Sequence, residues 1–162
     1  MGINLNALLS EQCKFVTGLD SVVPSTSTPD YVSLKNFERL TIVILQKNAT
    51  TVTGSAITLK QATSVAAGSE KALSFTKAYS NVDTAAGDVL SEFTVSSDTF
   101  TTQAVNSKNA MYVIEVKAED LDVNNGFDCV RLGTGDATAA TITVLYILSG
   151  PKFPTTTSAI ID

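Results

Sequence analysis

The stretch EDLDVNNGFD, residues 119–128, places side-chain oxygens at alternate positions just ahead of a glycine. A helix-flanked calcium loop needs ligands at positions 1, 3 and 5, glycine at 6 and glutamate at 12. Three residues fit the first positions: Asp120, Asp122 and Asn124. Position 6 is Asn125, however, and position 12 is Arg131. Because Asn-Gly also favours a tight turn between strands, the stretch predicts a turn, and those three residues are at most a weak calcium site.

Other catalytic chemistry is poorly supported by the residue types. The chain has no histidine, which excludes Ser-His-Asp and Cys-His arrangements and histidine-containing zinc sites. Cys13 and Cys129 are too few for a four-thiolate site, and we expect two buried thiols rather than a long-range disulfide or a reactive role. Glu92 and Glu115 fall inside predicted strands on the outward face, which disfavours a glycosidase pair. We predict a protein that is not an enzyme and uses no cofactor.

Charge and hydropathy limit the partners. The chain has 11 Lys and Arg against 16 Asp and Glu, a net charge of −5, and the basic residues are scattered. A nucleic-acid surface needs a basic patch, and an anionic membrane surface attracts clustered Lys and Arg. No apolar run approaches the length of a membrane-spanning helix, and the N-terminus lacks the pattern of a secretory signal. We therefore expect neither nucleic acid nor membrane as a partner.

Strand patterns dominate the middle of the chain. Residues 39–47, RLTIVILQK, are apolar at successive positions, which predicts a central strand covered on both faces. Residues 110–118 alternate, with Tyr112, Ile114 and Val116 predicted inward. Further strands are predicted at 55–63, 71–79, 91–96, 99–105, 127–133 and 140–149. About eight strands separated by turns predict an all-β, single-domain β-sandwich, jelly-roll-like in its architecture.

Three zones organise the chain. Residues 1–24 form an N-terminal arm, 25–150 the sandwich and 151–162 a C-terminal tail, with PSTSTPD (24–30) as a linker. The arm is expected to hold one short helix, and it either folds against a partner or packs back on its own domain. Apolar residues of the arm and tail are the predicted partner contacts: Ile3, Leu5, Leu8, Leu9, Phe15, Phe153, Ile160 and Ile161.

Three stretches together resemble a known family: VSLKNFERLTIVILQ (32–46), MYVIEVKAEDLDVNNGFDCVRLG (111–133) and VLYILSGPKFP (144–154). They resemble small structural proteins of tailed bacteriophages, of the kind that act as capsid decoration or cement proteins. The resemblance implies a compact β-fold that assembles as a dimer or trimer and binds the major capsid protein. It also implies a place on the capsid exterior after synthesis in the bacterial host cytoplasm, where the protein stabilises the shell.

Two other functions are compatible with a sandwich fold, because fold alone does not determine function. One is a carbohydrate- or cell-surface-binding module, which usually relies on exposed aromatic side chains. The chain has no tryptophan and four tyrosines, of which Tyr31 and Tyr79 are the candidates for exposure, whereas Tyr112 and Tyr146 fit inward faces. The other is a structural subunit of a phage tail.

Overall fold

The computed structural model of the protein describes residues 6–153, which form two antiparallel β-sheets packed as a sandwich. One short helix, α1, spans Leu9–Gln12. The strands are β1 (Cys13–Val22), β2 (Val32–Ser33), β3 (Phe37–Asn48), β4 (Ala56–Ala62), β5 (Lys71–Ala72), β6 (Lys77–Asn81), β7 (Ser91–Thr94), β8 (Thr99–Thr101), β9 (Asn109–Lys117), β10 (Cys129–Thr134) and β11 (Ala140–Pro151). Two 3₁₀ turns, Ala118–Asp120 and Val123–Asn125, lie between β9 and β10. No helix in the described part of the chain is long and apolar enough to cross a membrane.

Strand order defines the architecture. The six-stranded sheet has the order β1-β11-β3-β9-β6-β7, and the five-stranded sheet has the order β2-β10-β4-β5, with β8 also paired to β4. When the β5–β7 segment is set aside, successive strands alternate between the two sheets, except that β4 and β8 pair with each other in the five-stranded sheet. That alternation is the pattern of an eight-stranded jelly roll, and β5 to β7 form an insertion that crosses from one sheet to the other. The predicted sandwich is confirmed.

The core lies between the two sheets, where alternate side chains of each strand point inward. On β3 the inward residues Leu40, Ile42 and Ile44 are fully buried. On β11 the inward Tyr146 is also fully buried, and its hydroxyl accepts a hydrogen bond from the backbone N–H of Leu132 on β10 at 3.0 Å. Full burial of an aliphatic side chain contributes about 1.5–3 kcal/mol, so this layer supplies much of the stability. On β9 the predicted inward residues are confirmed: Tyr112, Ile114 and Val116.

The predicted arm is in large part a strand. Residues Cys13–Val22 form β1 and pair with β11 along one edge of the six-stranded sheet, from Cys13 opposite Ser149 to Val22 opposite Ile142. For these residues the structure gives the second alternative, an arm that packs on its own domain. The sequence does not reveal this strand, because the register shifts after Thr17 and breaks the two-residue alternation expected of a strand. The expected helix is present but has only four residues.

The predicted strand at 71–79 is wrong in one respect. The chain leaves the five-stranded sheet after β5 and enters the six-stranded sheet at β6, so the run belongs to two strands. Leu73 and Phe75 are buried on the way across. Ala78 then takes the inward position of β6, which turns Tyr79 to the opposite face instead of placing it beside Leu73 and Phe75.

The prediction that β3 is covered on both faces is also wrong for this chain. The strand is central, since it lies between β11 and β9. Its inner face is covered by the five-stranded sheet. On its outer face, however, Val43 is only half-buried and Leu45 is 47% exposed.

Candidate functional site

The loop 119–128 folds as a turn that anchors itself in the core. Leu121 and Phe127 are 4% and 7% exposed, so both close off the end of the sandwich. Gly126 has a φ of +79°, the left-handed conformation that glycine adopts without steric cost. Asn125 does not share this conformation, because it lies in the second 3₁₀ turn instead of in a two-residue hairpin turn.

The carboxylates of this loop bind groups of the protein itself. Asp122 forms an ion pair with Lys71 and accepts two hydrogen bonds from the Asn125 amide at 2.9 and 2.8 Å. The hydrogen bond from Lys71, followed by that from Asn125, lowers the pKa of Asp122. The backbone N–H of Lys117 donates to Asp120 at 2.8 Å. Among residues 6–153, no group of three or more His, Cys, Asp or Glu side chains could hold a metal ion.

The cysteines and strand carboxylates lie apart from one another. Cys13 is in the six-stranded sheet and Cys129 in the five-stranded sheet, both as buried thiols, and burial raises the pKa of Cys13. Glu92 and Glu115 face outward, as predicted. Glu115 pairs with Arg39 at 3.0 Å. These carboxylates are therefore members of surface ion pairs.

Tyr31 is not an exposed aromatic residue. It is 4% exposed, and its hydroxyl donates to Glu70 at 2.6 Å. The Arg131 guanidinium stacks over its ring at 4.7 Å and also donates to Glu70. A hydrogen bond from Lys60 lowers the pKa of Glu70, and thus favours its ionised form. Tyr79, the other candidate for glycan stacking, is half-buried and donates to Glu92 at 3.1 Å. The tyrosines therefore form no open stacking platform.

The predicted partner contacts that fall within the described residues are exposed. Leu8, Leu9, Phe15 and Phe153 have exposed fractions of 68%, 55%, 44% and 59%. The other four predicted contacts lie outside the described residues: Ile3, Leu5, Ile160 and Ile161.

An open groove of about 1500 Å³, which we call the end groove, lies at one end of the sandwich between the first and the last described segments of the chain. Leu9 of α1 and Val123 of the second 3₁₀ turn line it. Ile147 of β11 and Lys152, at the other end of the described chain, line it as well. Phe15 lies directly opposite Ile147 in the β1–β11 pairing and is therefore next to a residue that lines the groove. The ionisable groups of the groove carry both signs: Glu11, Glu38, Arg39, Glu115, Lys117, Glu119 and Lys152.

The outer face of the six-stranded sheet is a second feature. Its centre is apolar and consists of six side chains, here called the outer patch: Val43, Leu45, Met111, Val113, Leu145 and Ile147. The register places Val43 between Leu145 and Val113, and Leu45 next to Met111. The sequence signal for this patch is the unbroken apolar stretch at 42–45 within the run 39–47, from which the sequence analysis predicts a strand covered on both faces.

Polar groups surround the outer patch. Arg39, Glu115 and Lys117 lie toward the end groove, and Lys47 lies at the other end of β3. A small cleft of about 210 Å³ adjoins Leu45 at that second end, with Thr84 and Asn109 among its walls. An apolar, uncharged centre with a charged rim is the usual composition of a protein–protein contact surface.

Comparison with known proteins gives one structural likeness. No family model and no curated protein sequence matches this chain. The chain is similar to the crystal structure of the SPBc2 prophage-derived protein YomS, with a TM-score of 0.44 and 15% sequence identity. The match covers 84% of this chain and 91% of the other. A likeness of that size assigns neither a family nor a function.

Proposed function

We propose that the protein is a non-enzymatic structural protein of a phage virion that binds the outside of the capsid and stabilises the shell. Its partners are the major capsid protein and further copies of itself. The sequence resemblance of residues 30–154 to phage decoration proteins is one support for this proposal. The jelly-roll fold is compatible with it, although the same fold serves other functions.

The observation that carries the proposal is the concentration of exposed apolar side chains at the end groove. Leu9 lines one side of it and follows the exposed Leu8 in the chain, whereas Lys152 lines the other side and precedes the exposed Phe153. Scattered single apolar residues are normal on a protein surface, whereas a grouped set around a groove is typical of an interaction site. Residues 1–5 and 154–162 carry further apolar side chains in the sequence.

The mechanism is thermodynamic and involves no reaction. A protein that binds the assembled shell and not its dispersed subunits stabilises the shell by mass action, by about 2.7 kcal/mol per site when its free concentration is 100 times Kd. An oligomer that reaches two or more capsid subunits gains further, because the second contact forms at a high effective concentration. The affinity of each individual contact with the capsid can therefore be low.

The test is co-sedimentation of the purified protein with mature capsids that lack it. We expect saturable binding at a fixed ratio to the major capsid protein. A double variant, Leu8→Lys with Leu9→Lys, should weaken binding at least tenfold, because it places two charges in the proposed contact. Val89→Lys is the control, since Val89 is 75% exposed in the inserted β6–β7 connection, away from the groove.

The structure also sets the limit of a useful truncation. Removal of residues 1–12 spares β1, which begins at Cys13, whereas a longer deletion would remove an edge strand of the sheet. Full-length binding with loss of binding in this truncation supports the proposal. Undiminished binding by both the truncation and the double variant, or no saturable binding by the full chain, would contradict it.

A further inference from the structure

We infer that the outer face of the six-stranded sheet binds a second copy of this chain, so that two sheets stack face to face across a two-fold axis. The inference rests on the outer patch and not on the end groove. Capsid binding and dimer formation can therefore be tested, and can fail, independently.

The first support is the composition of the patch. Leu45 is 47% exposed, and its neighbours Val43, Met111 and Val113 are half-buried. These side chains come from adjacent strands in register, so their apolar surfaces form one continuous area. Exposure of apolar surface to water costs about 25 cal/mol of free energy per Å². Burial of the patch against a partner surface would remove that cost.

The second support is the pattern of the strands themselves. Residues 42–45 of β3 and 144–148 of β11 are apolar at every position. Alternation of apolar and polar residues is the rule for a sheet with one wet face, and continuous apolar runs are typical of strands buried on both faces. The five-stranded sheet covers only the inner face of these strands. A second copy would cover the outer face.

The third support is area. Five strands at about 4.8 Å spacing and nine residues at about 3.3 Å rise give a face of roughly 24 by 30 Å, or about 700 Å². Protein–protein interfaces of standard size bury about 600–1,000 Å² on each partner. The outer face is therefore large enough for a dimer.

The fourth support is self-complementarity. A two-fold contact brings a surface against itself, so an uncharged centre avoids the repulsion that a patch of one charge would suffer. An axis along the strands between β3 and β9 would place Leu45 of one copy over Met111 of the other. The same axis would place Val43 over Val113, because these residues are register neighbours. At the edge of the contact the same axis would bring Arg39 over Lys117 of the other copy, where Glu115 lies 3.0 Å from Arg39.

Edge-to-edge pairing is a poorer route to a dimer. The edge strand β1 has register shifts on both sides of Leu19, and such bulges interrupt the row of free backbone groups that a new strand needs. The remaining edge strands are short: β2 and β5 have two residues each, β8 has three and β7 has four. The face is therefore the better candidate.

The test is the mass of the full chain in solution, measured by sedimentation velocity over a range of concentrations. We expect a species of twice 17.0 kDa. Leu45→Lys should raise the dissociation constant at least tenfold, because it buries a charge at the centre of the contact. Val65→Lys should leave it unchanged. Val65 is the control because it is 43% exposed and lies in the turn that connects β4 to β5 of the other sheet.

Two further measurements guard against a variant that fails to fold. Met111→Lys changes the neighbouring strand, and its fold can be verified by circular dichroism. Hydroxyl-radical footprinting of the unchanged protein needs no substitution at all. Labelling of Met111 should fall as concentration rises, whereas labelling of the exposed Phe153 should stay constant. A chain that is monomeric at all concentrations, or an oligomer that survives both substitutions with Met111 still labelled, would overturn the inference.

Discussion

Tyr146 is a buried residue whose hydroxyl is hydrogen-bonded and whose pKa is raised. Its side chain is fully buried between the sheets, and its hydroxyl accepts the backbone N–H of Leu132 at 3.0 Å. Burial is the main reason that its pKa rises from 10.0 to about 12. The phenol is therefore neutral in the folded protein over the whole physiological range.

Replacement of Tyr146 by Phe should destabilise the protein by about 1–3 kcal/mol at pH 7, because it removes the acceptor of a buried N–H. Urea unfolding measures this change directly. The substitution keeps the ring and thus the packing. A loss of less than about 0.5 kcal/mol would mean that the Leu132 N–H finds another partner.

The same variant should change the response to alkali. In the unfolded chain the phenol ionises near its ordinary pKa of 10.0, and in the folded protein only near 12. The stabilisation that the neutral Tyr146 phenol gives the folded protein is thus fully present below pH 10 and is lost as the pH rises through 12. A two-unit difference corresponds to about 2–3 kcal/mol. Unfolding measured between pH 9 and 12 should show a smaller loss in Tyr146→Phe than in the parent, and equal losses would contradict the assignment.

The burial of a side chain could be predicted from the sequence where it depends on residues nearby in the same strand. It could not be predicted where it depends on residues distant in the chain. The inward set of β9 follows from alternation within nine residues. The burial of Tyr31, in contrast, depends on Glu70 and Arg131, which stand far away in the chain and meet it only after the five-stranded sheet has formed.

At the scale of elements, the bulged strand β1 shows how one glycine permits a register shift. A Cβ placed on Gly18 would lie 2.7 Å from Cε2 of Tyr146, closer than real contacts allow. The absence of a side chain thus lets β1 approach β11 where the register changes. A glycine within a strand often marks such a close approach.

Gly18→Ala should therefore destabilise the fold by roughly 1–3 kcal/mol, the usual cost of an overpacked site. Gly87→Ala is the matched control, because a Cβ there meets no atom within 4 Å. Urea or thermal unfolding of the two variants measures the difference. Equal stability of the two variants would show that the ring of Tyr146 can move aside without cost.

Most strands of the sandwich could be predicted, and the exceptions share a cause. The run at 110–118 alternates cleanly and forms β9. The sequence pattern does not reveal strand β1, because its bulge interrupts the alternation. It predicts one strand at 71–79, because Leu73 and Phe75 alternate with Ser74 and Thr76 between β5 and β6. Periodicity identifies a regular strand, but it does not reveal a register shift or the point where a chain changes sheets.

At the scale of the whole molecule, the two candidate contact regions are distinct but adjacent. The end groove gathers the two ends of the described chain, and the outer patch occupies the centre of the six-stranded sheet. Ile147 belongs to both, so a dimer formed through the patch would hold two end grooves in a fixed relation. Such a dimer could contact two capsid subunits at once, which is the arrangement from which avidity arises.

The sequence predicted the sandwich but not the outer patch. Strand order determines which side chains become neighbours, and residues 43, 113 and 145 meet only because β9, β3 and β11 are adjacent. The available signal is the set of four consecutive apolar residues at 42–45, within the run at 39–47. What it did not show is that the described residues leave the outer face of β3 partly uncovered, with Leu45 47% exposed.

The most direct test of the central claim is a cryo-electron microscopy reconstruction of mature capsids saturated with the purified protein. The account predicts additional density on the outer surface, at a fixed set of lattice positions, into which the jelly roll fits with the end groove toward the shell. Leu8, Leu9 and Phe153 should lie at that contact. Shells without additional ordered density, or with the end groove facing solvent, would contradict the proposed mode of capsid binding.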